Sequence, residues 1–348
     1  MNLRGLGSRL VGSNLPPQTS WSKRKWPNPN VAMDQLFELF PDKYPVLLKE
    51  TEESWIFELD WPRHLLEPID PLLREQARKC YGLELAQLAD YIEVRRYGRA
   101  DFLFSMFHSR ALAVPALALA RDASSQGLRW IVHVDAHHDL GAPLLTCVGP
   151  ERLINHAFGI ECRLDDAESV MRSVDRGFIH KGSFLTAFVL GASPGHLVHV
   201  HSRVVPAHFW LECTADSIQL GEIVASRDSV TFQRTPVPNG WELFESPLLP
   251  STLSVGQTEG VWLDVDLDAF CNRFDGDSDR SEEAASSEEL HQTEQKIAAF
   301  LAGFANATWL RHVIAVSVAA SPGFFPSEYW DYAIPTVCDG IAKALSDA

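Results

Sequence analysis

Two hydrophobic periods alternate along most of this chain. Short apolar runs that end in polar or acidic residues, "LRWIVHVD" at 128–135 and "GVWLDVDLD" at 260–268, read as strands buried on both faces. "HLVHVH" (196–201) and "RHVIAVSVAASPGFFP" (311–326) share that character, the second running into a Pro/Gly turn. Helical patterns lie between them: "ALAVPALALARDA" (111–123), with Pro115 near enough to the start to be tolerated, "SFLTAFVLG" (183–191) and amphipathic "ELHQTEQKIAAFLAGFA" (289–305). "SIQLGEIVASRDSVTFQRTP" (217–236) has β-meander character. Residues 33–100 mix shorter pieces, among them "SWIFELDW" (54–61), and read as an N-terminal extension packed on a core domain spanning 101–348. Residues 1–32 are basic and rich in Pro, Asn and Ser, and read as a disordered arm.

Buried strands alternating with helices predict an α/β protein, a three-layer α/β/α arrangement with a mostly parallel sheet. In such sheets ligands bind outside the carboxyl ends of the strands. Two of the apolar runs end in acids at that position, at Asp135 and at Asp264 and Asp266.

Composition narrows the function classes. With 46% hydrophobic and 22% charged residues in 348, the chain has the apolar mass for a sizeable core. A formal charge of −16 argues against general nucleic-acid binding, which needs clustered Lys and Arg. The six cysteines are scattered without a CxxC pair, a pattern of reduced thiols that points to the cytoplasm. Neither a secretory h-region nor an apolar run long enough to span a membrane is present.

The chemistry concentrates in "IVHVDAHHDL" (131–140). Where a strand leaves its sheet, alternate residues point the same way, so Asp135 and His137 can converge, and Asp139 joins them if the chain turns back. Asp264 and Asp266 stand in the same i, i+2 relation. Carboxylates that close repel unless one stays protonated or a cation binds. With imidazole partners and no Cys, they suit a borderline-to-hard divalent ion such as Mn²⁺ rather than structural zinc. The bland alternative, a polar loop with helix-capping acids, competes with each motif alone and weakens when both occur in one chain.

The order of these motifs resembles the ureohydrolases of the arginase–deacetylase group: a lone His at a helix start, His108, then "DAHHD" (135–139), then "DVD" (264–266). The likeness covers residues 100–325. It implies two Mn²⁺ ions, one held by His108, Asp135, Asp139 and Asp264, the other by Asp135, His137, Asp264 and Asp266. It further implies hydrolysis of an arginine guanidinium to ornithine and urea. Three departures stand out. "FSMFHS" replaces a Gly-Gly-Asp before the first His, "LDAF" replaces Gly-Leu-Asp-Pro, and Ala319 or Ala320 stands where a glutamate should pair the guanidinium. Asp268, Glu328 and Asp331 are the candidates for that pairing. The departures resemble a divergent branch that includes peptide arginases, which act on arginine inside ribosomally made, post-translationally modified peptides (RiPPs). The implied partner is therefore an arginine-containing precursor peptide.

His180, in "FIHKGSFL", is similar to the stretch where arginases keep a catalytic His, and His156 is the second candidate for proton transfer. His133, His138, His199 and His201 lie in or beside strands and read as packed core residues, with His138 placed to line a pocket. Trp26, Trp55 and Trp61 read as anchors that could contact a peptide, and the acidic stretch from Asp275 to Glu289 as a solvated loop. Two other functions remain open. One is a metal-dependent deacetylase of the same fold, needing one ion held by two aspartates and a histidine. The other is a non-catalytic peptide-binding module.

Overall fold

The computed structural model describes residues 18–60, 69–121, 127–156, 159–220, 223–276 and 286–348. The chain opens with a small antiparallel sheet of β1 (Gln18–Ser22), β2 (Pro45–Glu50) and β3 (Ser54–Leu59), in the order β1-β3-β2, with helix α1 (Pro29–Leu39) between its first two strands. This corrects the reading of residues up to 32 as a disordered arm; residues 1–17 of that stretch lie outside the described residues. Trp21 pairs in register with Trp55, and both rings are buried. The Pro and Asn residues serve a helix start instead of disorder. Asn28 caps α1 by accepting from the Asn30 N–H at 2.9 Å, and Pro29 begins the first turn.

The central sheet follows. Its strands are β4 (Ile92–Tyr97), β5 (Ala100–Ser105), β6 (Leu128–Val134), β10 (His196–Val200), β11 (Ala207–Leu220), β12 (Ile223–Gln233), β13 (Trp241–Ser246), β14 (Gly260–Asp266) and β15 (Val313–Ala319). The spatial order is β12-β11-β13-β10-β6-β14-β15-β5-β4. The six strands from β13 to β5 run parallel, and antiparallel strands close both edges. Edge strand β4 lies inside the stretch read as an N-terminal extension, so a boundary at residue 100 would cut the β4–β5 hairpin. A second small sheet, β7 (Thr146–Gly149), β8 (Arg152–Asn155) and β9 (Ile160–Arg163), sits in the connection from β6 to β10.

Helices cover both faces, as a parallel sheet requires. On one side α2 (Ala113–Arg121), α3 (Ala167–Asp175) and α4 (Phe184–Gly191) bury Leu103, Ile131, Leu197, Leu243, Trp262 and Ala315. On the other, α5 (Ser287–Ala305) and α6 (Trp330–Asp347) bury Phe102, Val132, Val198, Leu263, Val316 and Val318. The two sets alternate along each strand, which makes the fold a three-layer α/β/α sandwich. Trp21, Leu36 and Phe57 of the N-terminal segment belong to the first core.

The connections fix where a ligand can bind. From β6 the chain moves outward to β10 and β13; from β14 it moves the opposite way to β15. The adjacent carboxyl ends of β6 and β14 therefore form the topological switch point, where the flanking loops part and leave a crevice.

Because Phe57 is fully buried in the core shared with α2–α4, Phe57→Ala is expected to cost about 3–5 kcal/mol. Chemical denaturation followed by tryptophan fluorescence should show this as one displaced transition. A separate early transition would mean that the N-terminal segment folds on its own.

Candidate metal centre

On the face covered by α2–α4, apolar residues give way to polar ones two positions further along each central strand. Ile131 is followed by His133, Leu197 by His199, Leu243 by Glu245, Trp262 by Asp264 and Ala315 by Ser317. Register aligns these into one row across five strands: Ser317, Asp264, His133, His199, Glu245. In-register neighbours in a sheet project to the same side, so the row is a continuous polar strip, buried except at half-buried Glu245. His133 Nδ1 lies 2.8 Å from Asp264 Oδ2. The Ser317 hydroxyl donates to Asp264 Oδ1 and accepts the Trp262 indole N–H at 2.7 Å, which fixes the carboxylate's orientation.

His108, on a 3₁₀ turn directly after β5, brings its imidazole to the carboxyl end of this row. Its Nε2 is 2.9 Å from Asp264 Oδ2. Its Nδ1 lies 2.9 Å from Asp135 Oδ2, 3.1 Å from Asp139 Oδ2 and 2.9 Å from Asp266 Oδ2. One ring nitrogen carries at most one hydrogen and cannot serve three carboxylate oxygens. Asp135 Oδ2 has no hydrogen-bond partner although it is buried. Asp266 receives the Ser321 hydroxyl. Asp139 and Ser321 both hold left-handed backbone, with φ of 52° and 43°, and these are the turns that bring them back to the strand ends.

His137 lies beside Asp135 and Asp268. Its Nδ1 is 3.4 Å from Asp135 Oδ1 and 3.1 Å from Asp268 Oδ2, while Nε2 is 3.2 Å from Asp275 Oδ1. The resemblance groups His137 with Asp264 and Asp266; here its nearest carboxylates are those of Asp135, Asp268 and Asp275. Asp268, a guanidinium candidate, instead joins the cluster and also accepts the Ala136 N–H at 3.1 Å.

The electrostatics describe an excess of buried negative charge. Five buried carboxylates (Asp135, Asp139, Asp264, Asp266, Asp268) face His108, His133 and His137. Burial pushes Asp139 up to about 6, with Asp135 adding to it. Asp268 is raised by burial and then by Asp266 and Asp135. Burial alone would lower His108, but the charges of Asp264 and Asp266 outweigh it and hold the imidazole well above its usual range. Hydrogen bonds to Asp135 and Asp268 hold His137 up at about 12. Three imidazolium charges fall short of five ionised carboxylates, a difference that protonation of the raised acids Asp139 and Asp268, or a bound cation, would offset. Four sets of its side chains bring three ligand atoms close enough together to hold a metal ion: His108–His133–Asp264, His108–Asp135–Asp266, His133–Asp135–Asp139 and Asp135–His137–Asp268.

A cavity of about 440 Å³ opens over the cluster, with His108, His137, Asp139, Asp266 and Asp268 in its lining and Phe107, Phe232 and Phe324 as apolar wall. His180 lines it as well, and burial lowers its pKa below the ordinary imidazole value. His138 lines it too and lies 2.6 Å from Glu245 Oε1. His156 is exposed at the end of β8 and is not part of this lining. Two guanidinium candidates are placed elsewhere. Glu328 pairs with buried Arg273, which Glu289 shares, and Asp331 with Lys79 and the Cys80 thiol, so both are engaged outside the cavity. Trp55 donates to the Trp26 carbonyl at 2.7 Å, packing these anchors on each other; Trp61 lies outside the described residues, as do residues 277–285 of the acidic stretch.

Two parts of the centre escaped the sequence reading. His133 fits the core that its strand position predicts, being fully buried, yet it bonds Asp264. Ser317 and Ser321 were passed over; a lone Ser inside the apolar "VSVAAS" was the available signal. No helix among the described residues is long and apolar enough to cross a membrane. Comparison with protein-family models and with curated proteins finds no match to this chain.

Two outcomes are expected from metal titration. Mn²⁺ at about 100 times its Kd should stabilise the folded protein by about 2.7 kcal/mol, read as a rise in Tm over the chelator-treated protein. His133→Gln should weaken Mn²⁺ affinity by about 10–100-fold in calorimetry, whether the imidazole ligates the ion or orients Asp264.

Proposed function

We propose that this protein is a dinuclear manganese hydrolase that cleaves the guanidine group of arginine side chains within a ribosomally made peptide, giving ornithine and urea. The observation that carries the reading is the crowding of Asp135, Asp139, Asp264 and Asp266 around His108 at the switch point, with Asp135 Oδ2 buried and without a hydrogen bond. Hard oxygen donors with a few imidazoles match Mn²⁺ chemistry. Charge supports two ions over one: with the imidazoles neutral as ligands, five carboxylates oppose four positive charges from two divalent ions.

When bound, two such ions supply Lewis acidity and a nucleophilic water at neutral pH. This chain's residues do the rest. The strand ends hold the aspartates at fixed spacing, with Ser317 and Ser321 orienting Asp264 and Asp266. The Phe107, Phe232 and Phe324 walls exclude bulk water and pack an aliphatic stem. Water adds to the guanidinium carbon, the bond to the side-chain nitrogen breaks, and that nitrogen gains a proton. His180, neutral because of its burial, takes up a proton from the water and passes it to the leaving amine.

A second reading has one observation in its favour. Asp135, His137 and Asp268 form a set of two aspartates and a histidine, the composition that a mononuclear deacetylase needs.

Manganese-loaded protein incubated with arginine-containing peptides is expected to release urea and leave ornithine, with free arginine a poor substrate. Asp264→Asn should lower the rate by at least about 100-fold, beyond the usual loss from a supporting residue. Two bound metals without urea from either substrate would overturn the proposal. Acetate released from acetyl-lysine peptides by a one-metal protein would favour the second reading.

A further inference from the structure

The cavity-lining acids among the described residues are Asp42, Asp139, Asp266 and Asp268, and only Asp42 stands apart from the His/Asp cluster. It comes from the turn after α1, outside the region resembling ureohydrolases. Leu36, Leu39 and Phe40 anchor that turn in the core beneath α2–α4, so its position is set by packing. The Lys181 backbone N–H donates to Asp42 Oδ2 at 2.7 Å. Oδ1 is buried and has no hydrogen-bond partner. The Lys181 ammonium sits over the Phe324 ring, 4.2 Å from its centroid, and the Lys43 ammonium is close enough to act on Asp42 through its charge, but neither forms an ion pair with it. A carboxylate oxygen buried without a donor is costly, and such groups mark a ligand or a function.

We propose that Asp42 is the residue that reads the cationic end of the substrate, accepting N–H groups of a guanidinium in the cavity. This deepens the function proposed above and rests on that reading. It fills the role left open by Ala319 and Ala320, which are buried in and beside β15 and carry no acid. Glu245 is a weaker candidate, being engaged by His138. A turn about the soft Cβ–Cγ torsion moves both oxygens together, so Oδ1 is presented to the ligand as the Lys181 N–H bond to Oδ2 loosens or passes to the other oxygen. Phe107 and Phe324 flank the stem, and the cluster of aspartates lies along the same cavity.

The test is direct binding, which needs no turnover. Calorimetry on manganese-loaded protein compares acetyl-arginine amide with acetyl-citrulline amide, its neutral isostere. The wild-type protein should prefer the arginine compound by about 10–100-fold, the contribution of a hydrogen bond to a charged group. Asp42→Asn should lose most of that preference while keeping its Mn²⁺ content and Tm, because the amide oxygen still accepts the Lys181 N–H. If Asp42→Asn falls short of the wild-type Tm, Asp42→Ser, which can also accept that N–H, supplies the same comparison. Full preference retained in the variant overturns the assignment, and so does equal or absent binding of both compounds by the wild-type protein. Urea release is measured in parallel. Its absence with the arginine preference intact would sink the hydrolase reading and leave Asp42 as a cation reader.

Discussion

Five aspartates buried within reach of three imidazoles repel one another, and at low dielectric that repulsion is far stronger than it would be in water. Protons on His108, His133 and His137 offset part of it, and the cluster could hold a metal ion that offsets more. A chain accepts such a cluster only if the rest of the structure holds the charges in place. Here that restraint comes from the strands. Asp264 is locked between His133 and Ser317 in a parallel register, and its backbone has no freedom to relax away.

The same sheet face performs two tasks along its length. At the amino-terminal halves of the strands, Ile131, Leu197, Leu243, Trp262 and Ala315 build the core beneath α2–α4. Two residues on, His133, His199, Glu245, Asp264 and Ser317 replace them with a polar strip. The change costs desolvation, and satisfied pairs limit that cost: Ser317 with Asp264 and Trp262, and His199 Nε2 with the Asp135 carbonyl at 3.0 Å. The loops leaving β6 and β14 diverge at the same point, so the strip opens into a cavity instead of being capped by a crossover.

The N-terminal segment completes this cavity. Its small sheet and α1 share the first core, and the turn after α1 carries Asp42 to the cavity lining. On the function proposed above, a substrate presented within a peptide would offer no free α-amino or α-carboxylate group to grip, and recognition would fall on the side chain's cationic end and aliphatic stem. An isolated acid among Phe107, Phe232 and Phe324 matches that demand better than a rim of charged groups would.

Much of this was legible in the chain. The apolar runs of β6, β14 and β15 and the amphipathic pattern of α5 determine the layered α/β class, because burial on one or two faces leaves a period in the sequence. Asp135, Asp139, Asp264 and Asp266 stood out because they sit at the ends of those runs. Tertiary structure alone decided the partners. His133 differs from a core histidine only by the register that sets it against Asp264, and register depends on which strands are adjacent. His137 stands beside Asp268 through loop geometry that spacing does not encode. Glu328 and Asp331 were withdrawn by Arg273 and Lys79, the latter more than two hundred positions from its partner, and Asp42 was brought in from a segment without a recognisable motif. Periodicity is a local property of a chain. Which charges meet in a buried site depends on contacts between distant segments.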